Sequence, residues 1–174
     1  NAILDGADAL MVTGETAMGK FPEKVIQVLT RVIEETEAAI NYQDFYIARG
    51  KKNLNTAQAI SHAACSVAYD QDIKILITMT HSGSTARMVS RYRPAARIIA
   101  MTPIEEISRQ LSIVWGITPI VINEYNSSGE IQDVANAVLS LKEILKKGEK
   151  YVITGGVPVG VPGTTNYLSV FKLA

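Results

Sequence analysis

The sequence holds a single cysteine, so no internal disulfide can form, and it has no apolar run long enough to span a bilayer. It has no excess of charge either, because seventeen Lys and Arg balance seventeen Asp and Glu. A neutral chain offers no global field for nucleic acid, an anionic membrane or a strongly acidic partner, so any anion has to be caught locally. The two histidines, His62 and His81, lie on different elements without a cysteine or carboxylate cluster at ligand spacing, which argues against a metal site. The Gly-Lys-Ser/Thr ending of a P-loop and the three-glycine dinucleotide fingerprint are both missing. Together these absences predict a reduced, soluble, cytoplasmic protein with no nucleic-acid or membrane partner. The chain starts at Asn1 with no Met and no basic leader, and strand-like sequence follows almost at once, so it is expected to be cut from something longer.

The 174 residues, 47% hydrophobic and 20% charged, suit one ordinary globular domain with a short attached piece. Ala7 to Val12 is a short apolar run between Asp5-Gly6 and Thr13-Gly14, as for a buried strand. A helix is expected from Pro22, with Val25, Val28, Leu29, Val32 and Ile33 at helical spacing. That makes a βα unit over residues 1–40. The run from Asn41 to Leu54 loses the periodicity and contains Arg49-Gly50-Lys51-Lys52-Asn53, so a domain boundary is placed there, with the second domain over 41–174.

In the second domain a helix carries Ile60, Ala63, Ala64, Val67 and Ala68, and a strand follows over Ile73 to Met79. The alternation continues with a helix at Ser84 to Arg91, a strand at Arg97 to Met101, a helix opened by Thr102-Pro103-Ile104-Glu105, and a strand at Pro119 to Ile122. A fourth helix is expected from Ile131 to Lys147, presenting Ile131, Val134, Ala135, Val138, Leu141 and Leu145 and stopped by Gly148. Tyr151 to Thr154 is then a strand, and the connection Gly155 to Gly163 is too short for a crossover helix. The last strand, Tyr167 to Phe171, should therefore run antiparallel. The pattern predicts an α/β three-layer sandwich around a mostly parallel five-stranded sheet, with ligands gathering at the carboxyl ends of the strands.

Two loops carry candidate chemistry. Thr80-His81-Ser82-Gly83-Ser84-Thr85-Ala86 follows a strand and opens a helix; Thr80, Ser82, Ser84 and Thr85 offer hydroxyls and Gly83 lets backbone approach, which suits a phosphate. The alternative is that Ser82 or Ser84 only caps the helix. The run Gly155 to Asn166, rich in glycine and proline, has the chemistry of a loop that clamps a ligand held by the first, or else is a plain hairpin connection. Cys65 beside an apolar face reads as a buried structural thiol, His62 as a helix-surface residue, and Trp115 as a packing residue. Glu15 after the first strand has no partner carboxylate, and Arg87, Arg91, Arg93 and Arg97 form a local basic cluster facing solvent, an anion or a subunit.

Asn1 to Ala17, Thr80 to Ala86, Ser90-Arg91-Tyr92-Arg93-Pro94 and Gly163-Thr164-Thr165-Asn166 together, in order and spacing, resemble the pyruvate kinase family over the whole chain. The resemblance implies that residues 1–40 are the last strand and helix of a catalytic (β/α)8 barrel, and 41–174 the carboxyl-terminal allosteric and tetramer-interface domain. It implies a parent enzyme that transfers phosphate from phosphoenolpyruvate to ADP with Mg²⁺ and K⁺, using barrel residues that precede Asn1. This chain then holds no catalytic residue and no cofactor, with Thr13 and Glu15 at most supporting. The resemblance makes Thr80, Ser82, Gly83, Ser84 and Thr85 an effector phosphate site, and Gly160, Pro162, Gly163, Thr164 and Thr165 the effector loop. Members that respond to a sugar bisphosphate carry a tryptophan and an arginine after the third strand of this domain; Glu124 to Glu130 has neither, which favours a sugar monophosphate or nucleotide monophosphate and leaves open a member with no effector. The rival readings are a stand-alone phosphate-ligand module and an oxidoreductase-type nucleotide domain.

Overall fold

The computed structural model describes residues 1–49, 54–125, 127–161 and 163–173. The chain divides into two compact units, Asn1–Asn41 and Tyr42–Ala174. Gly50 to Asn53, where the sequence places a polar linker, lie outside the described residues.

The first unit holds a short helix, α1 (Gly14–Ala17), and a long one, α2 (Pro22–Ala39), with Pro22 at its first position and Glu23 in its first turn. The strand expected over Ala7 to Val12 does not form; residues 1–7 fold into turns closed by Asp5 N–H to Asn1 O and Ala7 N–H to Ala2 O. A parallel strand exists only with a neighbour to take its ladder hydrogen bonds, and the unit holds none among the described residues. For the same reason α2 buries no residue: Val28 and Val32, on its expected apolar face, stay about half exposed.

The second unit opens with α3 (Tyr42–Arg49), in a stretch where aliphatic periodicity predicts no element. Its anchors are aromatic: Tyr42 tilts against Trp115 at 5.8 Å, and Tyr46 stacks on His62 at 4.6 Å. His62 is therefore no surface histidine; its Nδ1 shares a 3.2 Å hydrogen bond with the Tyr46 hydroxyl and its ring meets Tyr92 edge-on. Helix α4 (Thr56–Asp70) starts in a capping box: Asn55 Oδ1 accepts from Gln58 N–H at 2.9 Å and Gln58 Oε1 from Asn55 N–H at 3.2 Å. Asn55→Ala should lower stability by about 1 kcal/mol, read as a lower urea midpoint with unchanged slope, and an unchanged midpoint would show that the cap holds nothing in place.

The sheet runs β3-β2-β1-β4-β5, with β1 (Ile75–Met79), β2 (Arg97–Thr102), β3 (Ile117–Val121) and β4 (Lys150–Gly156) parallel and β5 (Thr165–Lys172) antiparallel to β4. Side chains alternate between its faces. Leu76, Ile98 and Val152 point to one layer with α4, α5 (Ser84–Ser90) and α6 (Glu105–Leu111); Ile77, Ile99 and Ile153 point to the other with α7 (Ser128–Leu141). This is the three-layer α/β architecture that the alternation predicts.

Three local expectations are corrected. Thr102 is the last residue of β2, so the chain turns through Pro103 before α6 begins at Glu105; Thr102 Oγ1 accepts from Ile104 N–H instead of capping. Helix α7 stops at Leu141, not Lys147, because Glu143 adopts φ +50 and Ile144 N–H returns to Leu139 O, a Schellman-type ending. Within α7 it is Leu139 that is buried, while Leu141 is 84% exposed. Arg93 is likewise not a solvated cation: it is buried with φ +49, and its guanidinium lies 4.6 Å over Trp115.

Candidate functional site

Strand order reverses between β1 and β4. From β1 the chain winds through α5 and α6 to β2 and β3 on one side, then crosses over α7 to β4 on the other. The loops leaving the carboxyl ends of β1 and β4 consequently diverge and leave a crevice, the usual place for ligands in such sheets. Those are the two loops that the sequence singles out.

The first is a tight turn tied by its own side chain. Thr80 Oγ1 accepts from Gly83 N–H at 2.9 Å, and Gly83 is the N-cap of α5 at φ +79. A Cβ there would meet strained backbone and the Leu111 side chain at 3.2 Å, so glycine is required. Since the cap is Gly83, neither Ser82 nor Ser84 is the capping residue; Ser82 Oγ donates to Ser84 Oγ at 3.1 Å instead. Helix α5 has only seven residues, so its dipole adds little and the hydroxyls are the turn's main asset.

The second loop is pinned at its base. Asn166 Oδ1 accepts from Val157 N–H at 2.8 Å and Asn166 Nδ2 donates to Val157 O at 2.7 Å, across a cis Val157–Pro158 peptide. Gly160 and Gly163 both sit at φ +81, and Thr164 Oγ1 donates to Val161 O at 2.7 Å. Pro162 lies outside the described residues. A buried hydrogen bond ties the loops together, 2.7 Å between Thr85 Oγ1 and Thr165 Oγ1.

Between them lies a cavity of about 20 Å³ lined by Thr80, Ser82, Ser84, Thr85, Thr164 and Thr165, with Gly156, Gly160, Val161 and Gly163 closing it. His81 and Tyr125 complete the wall, their rings 5.6 Å apart. Burial pushes the Tyr125 hydroxyl up to about 12, so it stays a neutral group. Of the residues that the sequence assigns to the effector phosphate site and the effector loop, all line this cavity except Gly83, which shapes the turn behind it, and the undescribed Pro162. The structure adds Met79, His81, Tyr125, Gly156 and Val161. Ligand spacing considers His81 only for a metal, although its place within the Thr80 to Ala86 run is the signal that could have found it.

Other candidates fall elsewhere. Thr13 and Glu15 are exposed in the first unit. Cys65 is buried, as expected, and desolvation holds its thiol up at about 12, far from a nucleophile's range. Among the described residues no group of three or more His, Cys, Asp or Glu could hold a metal ion, and no helix is long and apolar enough to cross a membrane.

Fold and loops define a class: a doubly wound α/β domain with a hydroxyl-lined crevice at its switch point. Residues 58–171 match the family model described as pyruvate kinase, alpha/beta domain. The chain is 40% identical over 171 residues to a pyruvate kinase of Clostridium acetobutylicum, covering 98% of this chain and 36% of that protein. It is 39% identical over 175 residues to one of Geobacillus stearothermophilus, covering 100% of this chain and 30% of that protein. A crystal structure of a Cryptosporidium parvum pyruvate kinase superposes with a TM-score of 0.88 at 33% identity, over 100% of this chain and 35% of that one. The chain belongs to the pyruvate kinase family, matching its carboxyl-terminal portion and spanning about a third of the length of these relatives.

Proposed function

We propose that this chain is the effector-binding and subunit-interface part of a pyruvate kinase, and that its crevice takes the phosphate of a sugar monophosphate or nucleotide monophosphate. The observation that carries this reading is the convergence, at the switch point between β1 and β4, of hydroxyls from two loops eighty residues apart, tied by Thr85 and Thr165. Neutral hydroxyl donors and close backbone suit phosphate oxygens, and among the described residues no acid lines the cavity. The cavity holds about a water molecule as it stands, so a phosphate enters as the Val161 to Thr164 segment moves outward. That movement is the proposed coupling: phosphate at Thr80 to Thr85 reorders the loop from Gly160 and biases an interface of a homotetramer, where a ligand acts only through differential affinity for two states.

Phosphoryl transfer from phosphoenolpyruvate to ADP, with Mg²⁺ and K⁺, is assigned to the whole enzyme in the cytoplasm. Among the described residues no group of three or more His, Cys, Asp or Glu could hold a metal ion, and no step is routed through those ions. A lone helix and loop from a barrel cannot enclose an active site, so this chain alone should show no kinase activity. Residues 1–40 are assigned to that barrel and 41–174 to the allosteric domain; the exposed apolar side of α2 is the surface a barrel would cover.

The test is calorimetry of the chain with AMP, ribose 5-phosphate, glucose 6-phosphate and fructose 1,6-bisphosphate, against a Ser82→Ala/Thr85→Ala double variant. A monophosphate should bind saturably, and the variant should lose at least about a hundredfold in affinity, as expected for two hydrogen bonds to a charged group at roughly 1.5–3 kcal/mol each. Equal binding by the variant would remove the assignment of these hydroxyls.

A further inference from the structure

The cavity between the two loops contains hydroxyls, glycine backbone and apolar groups, and the ionisable side chains on its wall are His81 and Tyr125. Tyr125 is buried and neutral. His81 is half-buried and lines the cavity, its ring 5.6 Å from that of Tyr125. The charged groups on the elements around it are few. Helix α5 contributes Arg87, which is exposed; the segment after β3 contributes Glu124, exposed beside Tyr125; the first turn of α7 contributes Glu130, exposed, whose carboxylate accepts from Ser127 Oγ at 3.0 Å. Residues 157–164 of the β4–β5 loop contribute none. Among the described residues, the imidazole is therefore the one group on the cavity wall that can become a cation.

Neutral hydroxyls alone are a poor cradle for a dianion, because each charge leaves water for donors that do not offset it. A charge-assisted hydrogen bond is roughly twice as strong as a neutral one. We propose that His81 is the counter-charge of the anion in this crevice, so that binding a phosphomonoester dianion takes up one proton and tightens as pH falls. This rests on the phosphate reading of the cavity and adds to it a regulatory property: the site reads pH together with its ligand. The sign follows from linkage. The anion stabilises the imidazolium, so affinity rises as pH falls through the range where an imidazole takes its proton, between about 8 and 5, and is insensitive to pH above it.

Sulfate is the probe, since it keeps both charges across this range whereas a phosphate monoester changes its own charge near pH 6. Sulfate is titrated into the chain by NMR at about pH 8 and about pH 5.5, with His81→Gln and His81→Lys variants alongside and each variant's fold checked by its thermal transition. The wild type should bind roughly tenfold tighter at the lower pH, which corresponds to bound sulfate raising the proton affinity of the imidazole by the same factor. His81→Gln should bind weakly and equally at both, and His81→Lys tightly at both. His62 remains in every variant, so a flat His81→Gln profile assigns the effect to position 81. Saturable sulfate binding with the same pH profile in wild type and His81→Gln would overturn this inference and leave the phosphate site standing. No saturable binding by the wild type at either pH would overturn the phosphate reading, and this inference with it.

Discussion

The chain is expected to lose stability steeply above pH 9, well before its backbone is chemically at risk. Three buried acids hold their protons tightly in the fold: the Cys65 thiol is raised from its ordinary 9 to about 12, and the Tyr125 and Tyr151 hydroxyls from 10 to about 12, all chiefly by desolvation. For Tyr151 electrostatic repulsion from Tyr167 and Asp133 adds to the burial. Each folded value lies above the unfolded one. Their contribution to stability is therefore complete below pH 9, starts to fall as the unfolded thiol ionises, falls faster once unfolded tyrosines ionise above 10, and is gone when the folded groups ionise near 12. Each group adds a slope of at most about 1.4 kcal/mol per pH unit, against a total of roughly 5–15 kcal/mol for a domain. Urea midpoints at half-unit steps from neutral pH upward would show the decline, and Cys65→Ala should flatten its first segment, between 9 and 10. A midpoint constant beyond about pH 11, in wild type and variant alike, would mean that these groups are not shielded as the structure places them.

The same burial explains what could be read from residues alone. Strands β1 and β2 sit at the centre of the sheet with both faces covered, so they appear as uninterrupted apolar runs, and β4 likewise. The short β4–β5 connection required an antiparallel last strand, and the ladder Tyr151 to Phe171 shows it. Helix α3 was illegible because tyrosines anchor it, and a count of aliphatic residues passes over Tyr42 and Tyr46. The strand at Ala7 to Val12 was over-read for the opposite reason: its apolar pattern is written for neighbours that this unit does not contain among its described residues. At the candidate site, composition pointed to both loops, since hydroxyls after a strand and paired glycines and prolines between strands are local signals. Their meeting was not local. It depends on β1 and β4 becoming adjacent across some seventy residues, which no short pattern encodes, and the Thr85–Thr165 tie and the place of His81 became visible only with that adjacency.

Replacing Gly156 by valine is expected to take apart the site and part of the sheet together. Gly156 is the last residue of β4, pairs with Thr165 across a register shift, and faces the Thr164 segment so closely that a Cβ would stand 2.6 Å from Thr164 Oγ1 and 3.1 Å from Thr164 O. The hydroxyl could swing away only by giving up its hydrogen bond to Val161 O, and the carbonyl cannot swing without moving the backbone that begins β5. Overpacking of this kind costs about 1–3 kcal/mol. The displacement also carries Thr165 away from Thr85, which opens the tie between the loops and leaves the buried Thr85 hydroxyl to find another partner. Its neighbour offers a calibration: at Gly155 the nearest atom to a Cβ would be Met79 Cβ at 3.1 Å, a buried apolar residue at the wall of the same cavity that offers no hydroxyl, and the Thr164 segment is not among its nearest atoms. Gly155→Ala should therefore reduce stability while preserving anion affinity in the fraction that is folded, and Gly156→Val should reduce both. Thermal denaturation paired with monophosphate calorimetry separates the two effects. Full affinity in Gly156→Val would show that the loop from Gly160 binds nothing, and that the crevice takes its ligand from the Thr80 to Thr85 turn alone.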